Sequence, residues 1–233
     1  MSVIKSIRSQ LAPIHPEGYP FVGVAVLASL VLLWLWPSLG WFAVAATVWC
    51  AYFFRDPQRV TPVREGIVVA PADGRISQVA NVVPPEELSL GERALPRISI
   101  FMSVFDCHVN RSPVAGRIER IVYRAGKFLS ADLDKASEDN ERNSFVIATN
   151  SGRRFGVIQI AGLVARRIVP FSREGDLVAA GQRIGMIRFG SRVDVYLPEG
   201  SRALAAEGQI AIAGETVLAD LKAVDASRTF RVT

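Results

Sequence analysis

The sequence predicts a mainly β chain with an N-terminal apolar helical hairpin. Three observations predict this. Residues 21–54 carry no charged side chain. From residue 60 the chain breaks into short β-branched runs separated by Gly and Pro, the spacing of strands and turns with little helix. Within that second part, two glycine-bounded segments each occur twice. A length of 233 residues suits one domain of ordinary size with an appendage, and a hydrophobic share of 50% is ample for its core.

Residues 1–20 form a basic, partly irregular lead-in with Lys5, Arg8, Pro13, Pro16 and Pro20. In the apolar stretch, Pro37-Ser-Leu-Gly40 separates arms of 16 and 14 residues. As helices these arms reach about 24 and 21 Å, short of the roughly 30 Å hydrocarbon core of a bilayer. Trp34, Trp36 and Trp41 cluster at the break, and tryptophan prefers the head-group interface. Basic residues flank both ends, Lys5 and Arg8 before and Arg55, Arg59 and Arg64 after. The pattern is that of a hairpin with both ends cytoplasmic, either spanning thinly or dipping into one leaflet. Two other readings fit parts of it. Ala43-Val-Ala45 has the small-residue pattern of a secretory cleavage site, and apolar runs of this length also form buried core hairpins.

Arg55-Asp-Pro-Gln-Arg59 ends the hairpin and residues 55–233 form the β-rich domain. Pro71-Ala-Asp-Gly-Arg-Ile76 is echoed by Pro113-Val-Ala-Gly-Arg-Ile118, and Glu174-Gly-Asp-Leu-Val-Ala-Ala-Gly-Gln-Arg-Ile184 by Glu207-Gly-Gln-Ile-Ala-Ile-Ala-Gly-Glu-Thr-Val217. The second repeat resembles the half-motif of biotinyl or lipoyl carrier domains, which implies a barrel-sandwich-like β domain of folded-over hairpins. None of Lys5, Lys127, Lys135 and Lys222 sits in a carrier-type Met-Lys-Met tip. Residues 128–143 are polar and charged and read as a loop or short helix near the functional site.

A net charge of +5 and a positive mean hydropathy of +0.26 point to a membrane with anionic head groups. No basic helix or aromatic-basic repeat points to nucleic acid. Cys50 and Cys107 form no disulfide framework, so a reducing setting is the simpler one for the β domain. With two histidines and no clustered cysteines there is no recognisable metal-ligand set.

The residue pair with the most chemistry is Gly190-Ser191 in Met186-Ile-Arg-Phe-Gly-Ser-Arg-Val-Asp-Val-Tyr-Leu-Pro198. Gly190 has no Cβ, so a hydroxyl can approach its carbonyl and its backbone can take strained dihedrals. Attack by Ser191 Oγ would convert the amide into an ester. Elimination and loss of ammonia would then leave a pyruvoyl group on the new N-terminus. An ordinary turn between strands is the alternative for any Gly-Ser pair. His108 is the only histidine after His15, so imidazole chemistry in the β domain falls to it. Asp73 stands in Pro-Ala-Asp-Gly, which is also a good turn sequence. Cys107 lies beside His108, but neighbours on a strand face opposite ways and a cysteine nucleophile is not expected.

With Phe189-Gly-Ser-Arg192, Pro71-Ala-Asp-Gly74, Asp106-Cys-His-Val-Asn-Arg111 and Asn140-Glu-Arg142, nearly the whole chain closely resembles the short bacterial form of the phosphatidylserine decarboxylases. The resemblance implies a proenzyme that cuts itself between Gly190 and Ser191 into a large chain, 1–190, and a small chain, 191–233. The two would stay together as a heterodimer, open to further oligomerisation, with Ser191 converted to a covalent pyruvoyl cofactor. Phosphatidylserine would form a Schiff base with that group, lose carbon dioxide and leave as phosphatidylethanolamine. The resemblance assigns His108 proton transfer and Asp73 the orienting acid. Longer members have a second histidine where this chain has Arg111, so either His108 serves both steps or Arg111 orients a group that activates Ser191. Arg111, Arg166 and Arg167 are candidates for the phosphodiester of the substrate. Membrane lipids and the cytoplasmic face of the inner cell membrane complete the expectation. The rival classes are a membrane-anchored, non-enzymatic barrel-sandwich adaptor and a pyruvoyl decarboxylase for another amine-bearing acid.

Overall fold

The computed structural model describes residues 12–126, 140–162, 167–188 and 190–222. The chain divides between Gln58 and Arg59 into two compact units.

In the first unit a single 3-10 turn, Pro16–Gly18, leads into helix α1, Tyr19–Leu35, and helix α2, Pro37–Phe53. Each helix has 17 residues, so each is about 25 Å long. Only Trp36 separates them. Pro37-Ser-Leu-Gly40, expected as the break, is instead the first turn of α2. Proline lacks an N–H that the first helical position does not need, and its fixed φ starts a helix well. At Gly40 a Cβ would lie 2.6 Å from the Leu33 backbone, so glycine permits the helices to touch there. Farther along, the Ser29 and Thr47 hydroxyls lie 2.9 Å apart, each within 2.8 Å of the carbonyl four residues back. The base is closed by His15 N–H to the Phe54 carbonyl, Asp56 N–H to that of Pro13, and Phe21 stacked on Phe54. Val24, Leu27, Trp34, Trp41 and Phe42 are exposed on the outside. The segment Pro16–Leu35 is long and apolar enough to cross a membrane, whereas Pro37–Phe53 is shorter.

The second unit contains strands β1 Ile67–Val69, β2 Gly74–Val82, β3 Leu95–Met102, β4 Val109–Arg111, β5 Gly116–Arg124, β6 Arg142–Ala148 and β7 Arg154–Ala161. They are followed by β8 Arg167–Pro170, β9 Leu177–Val178, β10 Arg183–Arg188, β11 Ser191–Tyr196, β12 Ile210–Ala211 and β13 Val217–Asp220. Eight of them form one sheet in the order β12-β2-β3-β11-β7-β6-β5-β9, with β4-β10-β8 and β1-β13 as smaller sheets. The large sheet curls into a half-barrel, in keeping with the barrel-sandwich-like expectation. Its inner face carries the core, including Ile98, Ile100, Ile118, Phe145, Phe155 and Val193.

The internal repeats occupy equivalent places. Strands β2 and β5 each start at the repeat glycine, and each shifts register after the third residue of the strand. The repeat glutamates, Glu207 and Glu174, accept the N–H of Val79 on β2 and Ile121 on β5. Arg75 and Arg117 reach the carbonyls of Gly208 and Gly175 in the same way. Residues 140–143, expected in a loop or short helix, are buried, and Arg142 and Asn143 already belong to β6; most of that expected loop lies outside the described residues.

Gly74 is the tightest point of this scaffold. Its φ is +146° and a Cβ would fall 2.1 Å from the Phe101 carbonyl oxygen, in the backbone of β3. Gly74→Ala is therefore expected to destabilise the β unit by at least about 2 kcal/mol, read as a lower chemical-denaturation midpoint.

Candidate active site

Strand β10 turns into β11 through Gly190, whose φ is +57°, a left-handed value that favours glycine. Gly190 thus lies where the chain passes from β10 of the three-stranded sheet to β11 of the eight-stranded one. Ser191 opens β11 and pairs with Met102 of β3 on one side and Ala161 of β7 on the other. It shares the face of Val193 and Val195, because alternate residues of a strand point the same way, and it is fully buried. Among the described residues its hydroxyl has one hydrogen-bond partner, the Met102 sulfur at 4.0 Å. A thioether is a weak acceptor, so the hydroxyl proton is only weakly held there. The Gly190 carbonyl accepts the N–H of Gly162 at 3.0 Å.

His108 is fully buried in the segment between β3 and β4. Asp106 shapes this turn by accepting the N–H and hydroxyl of Ser103 at 2.8 and 2.7 Å. Its carbonyl lies 3.0 Å from His108 Nδ1. A carbonyl only accepts, so Nδ1 carries a proton, which leaves Nε2 as the nitrogen that can gain or lose one. The His108 carbonyl in turn takes the N–H of Ile187 at 3.3 Å, which ties the histidine to β10 just ahead of Gly190. Cys107 is buried too, but it and His108 precede β4, so strand alternation does not separate them.

Asp73 accepts Arg59 Nη2 at 2.5 Å and the Ala213 N–H at 2.8 Å. The turn containing it is bonded to the strand after His108, because Arg111 N–H donates to the Pro71 carbonyl at 2.8 Å. The Arg111 side chain is buried and donates to the Gly181 carbonyl at 2.9 Å, a position that braces the repeat turns. Arg167 is exposed at the start of β8, and Arg166 lies outside the described residues.

Sequence reasoning missed a buried chain of three carboxamides behind Ser191. Asn143 Nδ2 donates to Gln159 Oε1 at 3.1 Å, and Gln159 Nε2 donates to Asn110 Oδ1 at 2.7 Å. Asn110 Nδ2 then reaches the same Met102 sulfur at 3.6 Å. A Cβ on Gly185 would sit 2.8 Å from Gln159 Nε2, so glycine there leaves room for the amide. The one available signal was Gln159 interrupting the apolar run 157–161.

On the opposite face of β11, Arg192 is held doubly by Asp194, at 2.9 and 3.1 Å, with Arg97 close by. Burial, and next the Asp194 charge, push the Tyr196 hydroxyl above its ordinary pKa. Arg142 and Glu87 form a second buried pair at 2.6 Å. A separate cavity of about 400 Å³, bordered by Pro62, Val114, Thr149 and Leu221, contains none of Ser191, His108 or Asp73.

The family model described as phosphatidylserine decarboxylase matches residues 46–219. The phosphatidylserine decarboxylase proenzyme of Nitrobacter winogradskyi is 66% identical over 227 residues, covering 97% of this chain and 92% of that protein.

The carboxamide chain makes a stability prediction. Gln159→Leu keeps the volume but strands the Asn143 donor and the Asn110 acceptor, each worth about 1–3 kcal/mol when buried without a partner. A loss of about 2–5 kcal/mol in unfolding free energy is expected, measured by denaturant titration of the purified protein.

Proposed function

Because the chain belongs to the phosphatidylserine decarboxylase family, we propose that it converts phosphatidylserine to phosphatidylethanolamine and carbon dioxide, using a pyruvoyl group made from its own Ser191. The observation that carries the pyruvoyl reading is Ser191 at the head of a central strand, directly after a glycine at φ +57° and with its hydroxyl, among the described residues, on nothing stronger than a thioether. These residues fit the group. When formed, it supplies a ketone for the substrate's amine and a sink for the electrons that decarboxylation releases.

The other residues act around that centre. His108, with Nδ1 held by the Asp106 carbonyl, presents Nε2 as the atom that moves protons. Asp73, paired with Arg59, is the carboxylate of the same centre, supported by the Arg111–Pro71 bond that joins its turn to the strand following His108. Arg167, exposed on β8, is the described candidate for the phosphodiester. Arg111 already serves the Gly181 carbonyl and is better read as a brace.

Cleavage at 190/191 would leave β11, β12 and β13 on the small chain. They are paired with β3, β7, β2 and β1 of the large chain, so the two products are expected to remain one heterodimer. The apolar exterior of the helical hairpin and its exposed Trp34, Trp36 and Trp41 support attachment to a membrane. The cytoplasmic face of the inner membrane, with both hairpin ends inside, is the placement proposed.

The denatured mass of the purified protein is expected to show a fragment 191–233 lighter by one ammonia than a peptide starting with serine. Ser191→Ala should give one intact, inactive chain, whereas His108→Ala should lose carbon dioxide release; an active, uncleaved Ser191→Ala protein sinks the mechanism. Leu27→Arg, at the exposed middle of α1, should weaken membrane attachment by about 3 kcal/mol, seen as loss of flotation with anionic liposomes.

A further inference from the structure

We infer that the backbone N–H of Gly162 is the oxyanion donor for self-cleavage, and that Asn140 is the positioning residue that holds it in place. This rests on the reading of Gly190-Ser191 as the scissile bond. The N–H donates to the Gly190 carbonyl at 3.0 Å. It continues the β7–β11 ladder, yet its acceptor stands outside β11, on the glycine at φ +57°. The ladder therefore reaches one residue past the strand, to the carbonyl that Ser191 attacks.

The peptide group that donates is itself clamped. Asn140 Nδ2 donates to the Ala161 carbonyl at 2.8 Å, and the Ala161 N–H goes to the Glu141 carbonyl at 2.9 Å. Glu141 also accepts the Ile168 N–H through its carboxylate at 3.2 Å. Asn140 is 1% exposed and Glu141 4%, so neither bond competes with bulk water. The Ala161 carbonyl and the Gly162 N–H belong to one planar amide. A donor on that carbonyl fixes the plane and polarises the N–H at its other end, strengthening it as a donor in dry surroundings. Asn140 thus acts on the Gly190 carbonyl through a single peptide group.

In the step concerned, Ser191 Oγ bonds to the Gly190 carbonyl carbon and gives its proton to the base, for which His108 is proposed. The carbonyl π electrons move onto oxygen. Collapse of this oxyanion breaks the bond from the Gly190 carbon to the Ser191 nitrogen, which takes up the proton. Amide plus hydroxyl become ester plus amine, with no atom or electron gained. A neutral ladder bond is worth about 1 kcal/mol, but one donor facing a developing oxyanion is worth roughly 10²–10³ in rate.

The test follows conversion of freshly synthesised full chain to the 1–190 fragment by denatured mass, with and without hydroxylamine, which cleaves esters. Gly162→Ala keeps the N–H and is the reference. Gly162→Pro deletes it, and Ala161, already in a strand, has the extended backbone that a residue before proline needs. Gly162→Pro is expected to convert about 10²-fold or more slowly than Gly162→Ala. Hydroxylamine should not restore the rate, because the ester itself is not formed. Asn140→Leu keeps roughly the same volume but has no hydrogen-bond donor. It should convert about tenfold more slowly than the native chain, and it decides the matter if circular dichroism shows Gly162→Pro unfolded. A folded Gly162→Pro converting like Gly162→Ala, or a native rate in Asn140→Leu, overturns the inference and leaves the scissile bond standing. A native chain that never yields 1–190 overturns the scissile bond, and the inference with it.

Discussion

The structure depends on the insertion of β11 between β3 and β7. This one strand carries Ser191 at its start, Val193 and Val195 in the core, and an Arg192–Asp194 pair on its other face. Its two neighbours bring Met102 and Ala161 to the serine, and the residue after Ala161 brings an N–H to the Gly190 carbonyl. A reactive hydroxyl at a strand end would normally be wetted and mobile. Here the sheet continues on both sides of it, so it is dry and held from two directions.

The two faces of β11 also fix its register. A slip by one residue would turn Arg192, Asp194 and Tyr196 into the apolar interior and bring Val193 and Val195 out. Buried ion pairs add little net stability, because desolvation offsets their attraction, but a misplaced one is very costly. The Arg192–Asp194 pair and its neighbour Arg97 are therefore read as a register lock. That lock is a hypothesis; neutral replacement of the pair with retained cleavage at 190/191 would count against it. Position matters because sliding β11 by one place would put Arg192 beside Met102 where Ser191 now stands.

Much of this was readable from residues. The charge-free hairpin, the glycine-bounded repeats and the strained backbone at Gly190 each rest on local chemistry that a sequence shows directly. What escaped depends on contacts across the chain. Pro37 looked like an interruption because proline both stops and starts helices, and only the preceding Trp36 geometry decides between the two. Asn140 and Arg142 looked like loop residues because they follow a polar stretch, yet their side chains are spent on the Ala161 carbonyl and on Glu87. The orienting partner at His108 Nδ1 is a main-chain carbonyl, which no side-chain pattern announces. Asn110, Gln159 and Asn143 come from β4, β7 and β6, and only the fold places them in line.

The repeat explains where asymmetry had to arise. The two halves share the opening glycines of β2 and β5, the glutamate contacts and the arginine contacts, so the scaffold alone has no single site. They part at the third residue of the first motif, Asp73 in one half and Ala115 in the other. A carboxylate there binds Arg59 and the Ala213 N–H, bonds that an alanine side chain has no atom to make. A duplicated frame with matching hydrogen bonds needs no charge at that position for folding, since the second half does without one. The aspartate thus marks where the hydrogen bonding of the two halves departs, in the turn that is itself bonded to the strand following His108.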